Sequence, residues 1–130
     1  DFCLSRGLGD VYKRQVRPLR AAGHLLYLPP ELGVEGQEDE PHLVTATSKG
    51  AVLVTTNQQH FDPLHFRWQA AGREHAGILS TPELDAGELF RRLDRAARLL
   101  TPQAAHSQLL KLAMFKDEEE AQNYVTSLTP

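Results

Sequence analysis

Apolar and polar positions alternate along the chain in a way that predicts short strands set between helices, each with clear punctuation. Val16 to Ala22 has the make-up of a helix end closed by Gly23, a residue that adopts the left-handed C′ conformation without a Cβ penalty. His24 to Leu28 is a brief apolar run stopped by Pro29-Pro30, which predicts a buried strand. Pro41, at a first-turn position, starts a helix that runs to about Lys49, with Gly50 as its stop. Ala51 to Thr56 reads AVLVTT, nearly continuous in apolar and β-branched residues, the pattern of a strand covered on both faces; it is the expected centre of the sheet.

The second half continues the alternation. Asp62-Pro63 offers an N-cap and an N1 proline for a helix through Ala71 that ends at Gly72. Ala76 to Ser80 is the next strand. Asp85, with Glu88 three residues on, opens a long helix whose Leu89, Phe90, Leu93, Ala97 and Leu100 share one face. Thr101-Pro102 opens another, with Leu109, Leu112 and Ala113 as its stripe. Asp117 and Glu120 repeat the capping pattern before a last helix lined by Ala121, Tyr124, Val125 and Leu128. Three short strands alternating with helices predict an α/β fold around a short parallel sheet.

Neither periodicity extends through Asp1 to Gln15, DFCLSRGLGDVYKRQ. The run Asp10 to Gln15 resembles the translation of a transposon-end sequencing adapter, so residues 1–15 are expected to be a non-native segment that packs apart from the sheet. Phe2, Cys3 and Leu4 could still fill a vacated strand position. The domain proper is then 16–130. Setting aside Asp1, Arg6, Asp10, Lys13 and Arg14 leaves eleven basic and fifteen acidic residues, a charge of -4 against -3 for the whole chain.

Composition narrows the classes. At 130 residues, 41 % hydrophobic and 24 % charged, the chain suits one domain with one core and excludes a disordered protein. It holds no apolar run of about 18 residues, so no membrane segment is expected. The acidic balance gives no global attraction for polyanions, and nucleic-acid binding would need a local basic face. Arg91, Arg95 and Arg98 recur at i, i+4, i+7 and form the one such face, for RNA phosphates or simply for solvent and acidic partners such as Glu88 and Asp94. A lone cysteine, Cys3, builds no disulfide or thiolate cluster, and the cytoplasm is the default location.

Ligands of open parallel sheets bind beyond the carboxyl ends of the strands, which selects two loops. One follows Leu28 and contains Glu31, Glu35, Glu38, Asp39 and Glu40; the other follows Thr56 and contains Asn57, Gln58, Gln59 and His60. Such carboxylates suit magnesium, although Asp39 serves equally as a cap for the Pro41 helix and His60 as a structural hydrogen-bonding residue. No P-loop, glycine-rich dinucleotide fingerprint or orderable Ser-His-Asp set is present in the sequence.

Leu19-Arg20-Ala21-Ala22-Gly23-His24, Glu31-Leu32-Gly33, Asp39-Glu40 and Val52-Leu53-Val54-Thr55-Thr56-Asn57 with His60-Phe61 follow one another in an order that resembles the bacterial PIN-like domain proteins, a branch of the PIN nuclease superfamily. Trp68, Gly72-Arg73, His75-Ala76-Gly77-Ile78 and Gly87-Glu88-Leu89 extend the likeness to about Leu100. The resemblance implies a three-layer α/β/α fold, Mg2+- or Mn2+-dependent endoribonuclease activity, and toxin action paired with an antitoxin protein; a homo-oligomer is compatible with it. It also implies catalytic roles for Asp39, Asn57 and His60, with Asp39 and Asn57 as metal ligands. The family's first aspartate lies on an N-terminal strand that is missing or replaced here, and Asn57 and His60 are neutral where nucleases carry aspartates. An impaired nuclease is the expectation, with a non-catalytic module that binds a protein partner or RNA as the alternative.

Overall fold

The computed structural model describes residues 2–4, 17–27 and 39–128. Five strands form one open, all-parallel sheet: β1 (Phe2–Leu4), β2 (Leu26–Tyr27), β3 (Val52–Thr55), β4 (Ile78–Ser80) and β5 (Leu109–Lys111), in the order β2-β1-β3-β4-β5. The helices are α1 (Asp39–Ser48), α2 (Gln58–Ala70), α3 (Ala86–Leu99), α4 (Pro102–Ala105) and α5 (Glu118–Leu128), with a 3-10 turn at Leu112–Phe115. Residues 17–21 are also helical and run into Gly23 at φ +94°.

Alternation along the strands divides the core in two. Phe2, Leu4, Val52, Val54, Leu79 and Leu110 pack with Leu19, with Leu89, Leu93 and Ala96 of α3, and with Ala121 of α5. Cys3, Leu53 and Ile78 face the opposite way, onto Leu43 and Ala46 of α1 and Phe61, Leu64 and Trp68 of α2. Both sheet faces are therefore covered, which is why β3 reads as an uninterrupted apolar run and stands at the centre, as its sequence predicts. Capping follows the sequence at three helices: Asp85 accepts from the Glu88 amide at 2.8 Å, Thr101 from Ala104 at 3.1 Å and Asp117 from Glu120 at 2.8 Å.

Three expectations are corrected. Residues 1–15 do not pack wholly apart: Phe2–Leu4 is an interior strand, paired with both β2 and β3, and its side chains are 2 %, 1 % and 0 % exposed. Three apolar residues suffice to occupy a slot closed on all sides, but are too few to display a period. The remaining positions of that segment, and Glu31, Glu35 and Glu38, lie outside the described residues.

The helix expected from Asp62 starts earlier, with Asn57 as its N-cap, and Pro63 stands inside it. The proline withholds a hydrogen bond from the carbonyl of Gln59 alone, an exposed residue of the first turn where solvent can replace the bond. The helix expected from Pro102 through Ala113 stops at Ala105; Ser107, at φ +54°, turns the chain into β5. Leu109, Leu112 and Ala113 fit helical spacing, and only the break at Ser107 reassigns them.

Candidate functional site

Strand order reverses between β1 and β3: the chain steps from β1 to β2 on one side and reaches β3, β4 and β5 on the other. The carboxyl ends at such a reversal diverge and leave a crevice. Two helix starts flank it. α1 opens with Asp39 and Glu40, and α2 opens beyond Thr55 with Asn57 and His60.

Backbone bonds fix the β3–α2 turn. The Asn57 amide donates to the buried Thr55 hydroxyl at 2.9 Å, and the Asn57 carbonyl accepts from the amides of His60 at 3.0 Å and Phe61 at 3.1 Å. Phe61 is then anchored in the core, while His60 turns outward. The Asn57 side chain makes no capping bond to its own helix. At the β4 end, the Thr81 amide donates to the Thr55 carbonyl at 2.9 Å, and the Ser80 hydroxyl donates to the Leu110 carbonyl at 3.2 Å, which ties the three strand ends together.

Asp39 and His60 meet where the starts of α1 and α2 lie side by side on one face of the sheet. Nδ1 of His60 lies 3.4 Å from Oδ2 of Asp39, with the two side chains 56 % and 41 % exposed. The structure thus brings together two of the three residues that the resemblance singles out, and sets Asn57 at the head of the turn that carries the second. Glu40 has other work. Its carboxylate accepts from the Trp68 indole N–H at 2.7 Å and pairs with Arg67 at 3.5 Å and Arg73 at 3.6 Å, and Arg73 stacks on the Trp68 ring at 3.8 Å. The Trp68 bond, followed by the arginine charges, holds the Glu40 carboxyl below the usual range.

Asp62 and Lys111 also reach this edge, and sequence reasoning did not bring them forward as site residues. Asp62 accepts from the Gln58 side chain at 3.1 Å, and Lys111, the last residue of β5, approaches it to 4.0 Å. Asp62 looked like a helix cap, and Lys111 like part of a helix, so neither was placed at a strand end.

The arginine face has its own counter-charges. Arg91 and Arg92 both bind Glu88, at 2.8 and 2.7 Å; Arg95 donates to the Phe115 carbonyl at 2.6 Å; Arg98 pairs with Asp94 and Glu118. Asp94 in turn accepts from His24 at 2.7 Å, which fastens α3 to the turn before β2.

As a metal site the crevice is sparse. Among the described residues no three His, Cys, Asp or Glu side chains gather as metal ligands. Of the candidate ligands Asp39 is a carboxylate and Asn57 a neutral amide, which is too little negative charge for a two-metal clamp. Among the described residues no helix is long and apolar enough to cross a membrane. Comparison with protein-family models, with curated proteins and with solved structures finds no match for this chain.

Proposed function

We propose that this chain is a PIN-like domain that holds a single divalent cation, Mg2+ or Mn2+, at Asp39 and Asn57 and engages RNA phosphate through it, with feeble endoribonuclease activity. The observation that carries the reading is the approach of Asp39 and His60 at the strand-order reversal, where an open α/β sheet binds its ligands. A bound cation would polarise a phosphoryl oxygen. Asp39 would hold it, Asn57 would orient it, and the His60 imidazole lies within one contact of the same carboxylate to hold or release a proton at Nδ1. The antitoxin partner is supported by the family resemblance alone.

Calorimetric titration with MgCl2 and MnCl2 tests the metal site. The expected result is weak binding that Asp39→Asn abolishes; equal affinity in the variant would make Asp39 a helix-start acid and nothing more. Cleavage of a fluorescent single-stranded RNA in Mn2+ is expected to be slow and to stop with a chelator.

One observation favours a second reading. The only carboxylate at the three family-matched positions, Asp39, is shared with His60, as befits a non-catalytic module that binds RNA or a protein. RNA binding that is indifferent to chelator and to Asp39→Asn would select that reading.

A further inference from the structure

A buried histidine pair on the opposite edge of the sheet is unused by the reading above. His65, on α2, and His75, just before β4, are 7 % and 2 % exposed. Every polar group of His75 is engaged. Its amide donates to the Ser107 hydroxyl at 3.3 Å, and its carbonyl accepts from the Ser107 amide at 2.8 Å. Its Nδ1 accepts from the Gly77 amide at 3.0 Å, and its Nε2 lies 2.8 Å from Nδ1 of His65.

These contacts fix both tautomers. The Gly77 N–H requires a lone pair on Nδ1 of His75, so the proton of that neutral ring sits on Nε2 and is donated to His65. His65 then accepts at Nδ1 and carries its own proton on Nε2. A proton added to His75 can go only to Nδ1, facing the Gly77 N–H. A proton added to His65 makes its Nδ1 a donor, obliges His75 to accept at Nε2, and so moves the His75 proton to Nδ1, again facing Gly77. While the rings stay paired, either protonation deprives the Gly77 amide of its acceptor.

Gly77 has no slack to absorb this. It sits at φ +124°, its carbonyl accepts from the Leu53 amide of β3 at 2.9 Å, and a Cβ there would lie 2.8 Å from the Ala105 carbonyl oxygen. We infer that the His65–His75 pair is a proton-operated latch on the amino edge: one proton on either ring unfastens the Gly77 amide and, with it, the entry to β4.

The surroundings oppose that proton at neutral pH. Burial, then the neighbouring His65 and His106, pushes His75 down to about 4, and burial lowers His65 against the opposing pull of Asp62 on the same helix. From the segment before β4, Arg73 is held over Trp68 and against Glu40 of α1, and Glu74 pairs at 3.4 Å with His106 from the turn before β5. Trp68 of α2 completes the wall, its ring centroid 6.3 Å from that of His75. On the far side His75 lines a cavity of about 390 Å3 with Phe2, Val52, Leu100 and Ala105.

Nuclear magnetic resonance of the 15N-labelled chain tests the latch. At pH 7 long-range 1H–15N spectra should show both rings as the Nε2–H tautomer. From pH 6.5 downward, amide protection at Gly77, normalised to intrinsic exchange, should fall about tenfold per pH unit. The amide of Leu93, buried in α3 and opening only with the whole domain, should remain the better protected of the two at every pH. His75→Asn, whose side-chain oxygen can accept from Gly77 without titrating, should hold Gly77 protection level with pH. An Nδ1–H tautomer at His75, Gly77 protection indifferent to pH, or Gly77 protection no weaker than that of Leu93 would each overturn the inference. Should His75→Asn not fold, the tautomer and the wild-type exchange profile still decide it.

Discussion

The two edges of the sheet treat histidine in opposite ways. At the carboxyl edge His60 and Asp39 are half exposed and approach to 3.4 Å, and Asn57 spends no side-chain bond on its helix. At the amino edge His75 is 2 % exposed and its ring and backbone groups are all bonded. One helix, α2, touches both, carrying His60 at its start and His65 a turn and a half further on. The difference separates two uses of polarity: partners left incomplete can accept a ligand, whereas partners fully satisfied and buried hold the fold together.

The contrast breaks most readily at the amino edge. His75→Ala strands the Gly77 donor and the His65 acceptor and opens a void, at an expected cost of about 3 to 4 kcal/mol in denaturant unfolding. Acid should act nearly as strongly. Because the folded His75 value, about 4, lies below the ordinary 6.5, the unfolded chain binds the proton more readily. Stability is then complete above pH 6.5 and declines as pH falls through 6.5 towards 4, by about 3 kcal/mol in all. Unfolding curves at stepped pH measure this, and His75→Asn should flatten the profile. Gly77→Ala, which forces both an unfavourable φ and a clash with Ala105, should cost about 2 kcal/mol. Asp39→Asn at the other edge should leave the unfolding midpoint within about 0.5 kcal/mol of wild type. A large loss there would show that the carboxyl-edge pair is structural too, and would erase the distinction.

Local chemistry was the most legible part of the sequence. The Asp85, Thr101 and Asp117 caps, the Gly23 and Gly50 stops and the β3 run each depend on a few neighbouring residues, and each is where it was expected. Asp39 and the Asn57–His60 turn could be nominated because strand ends are known sites. Their meeting depends on the sheet order, which no local pattern carries. β1 was foreseen only as an alternative and β5 was missed, because three-residue strands show no period and Leu109-Leu110-Lys111 flows into a stretch that suits a helix equally well. The His65–His75 pair had no spacing signature: one residue belongs to a helix and the other to the turn beyond it, and only packing brings the rings together.

The placement of Phe2–Leu4 bears on how this sheet chooses its members. β2 and β3 share no hydrogen bonds; each bonds to β1, whose partners Leu26 and Val52 lie far along the chain. The position between them is a receptor for an extended segment, with backbone donors and acceptors waiting on both sides and an apolar wall above and below. What it recognises is three successive side chains that shun water, two for one wall and one for the other. Such a receptor reads size and polarity, and Phe-Cys-Leu qualifies on both.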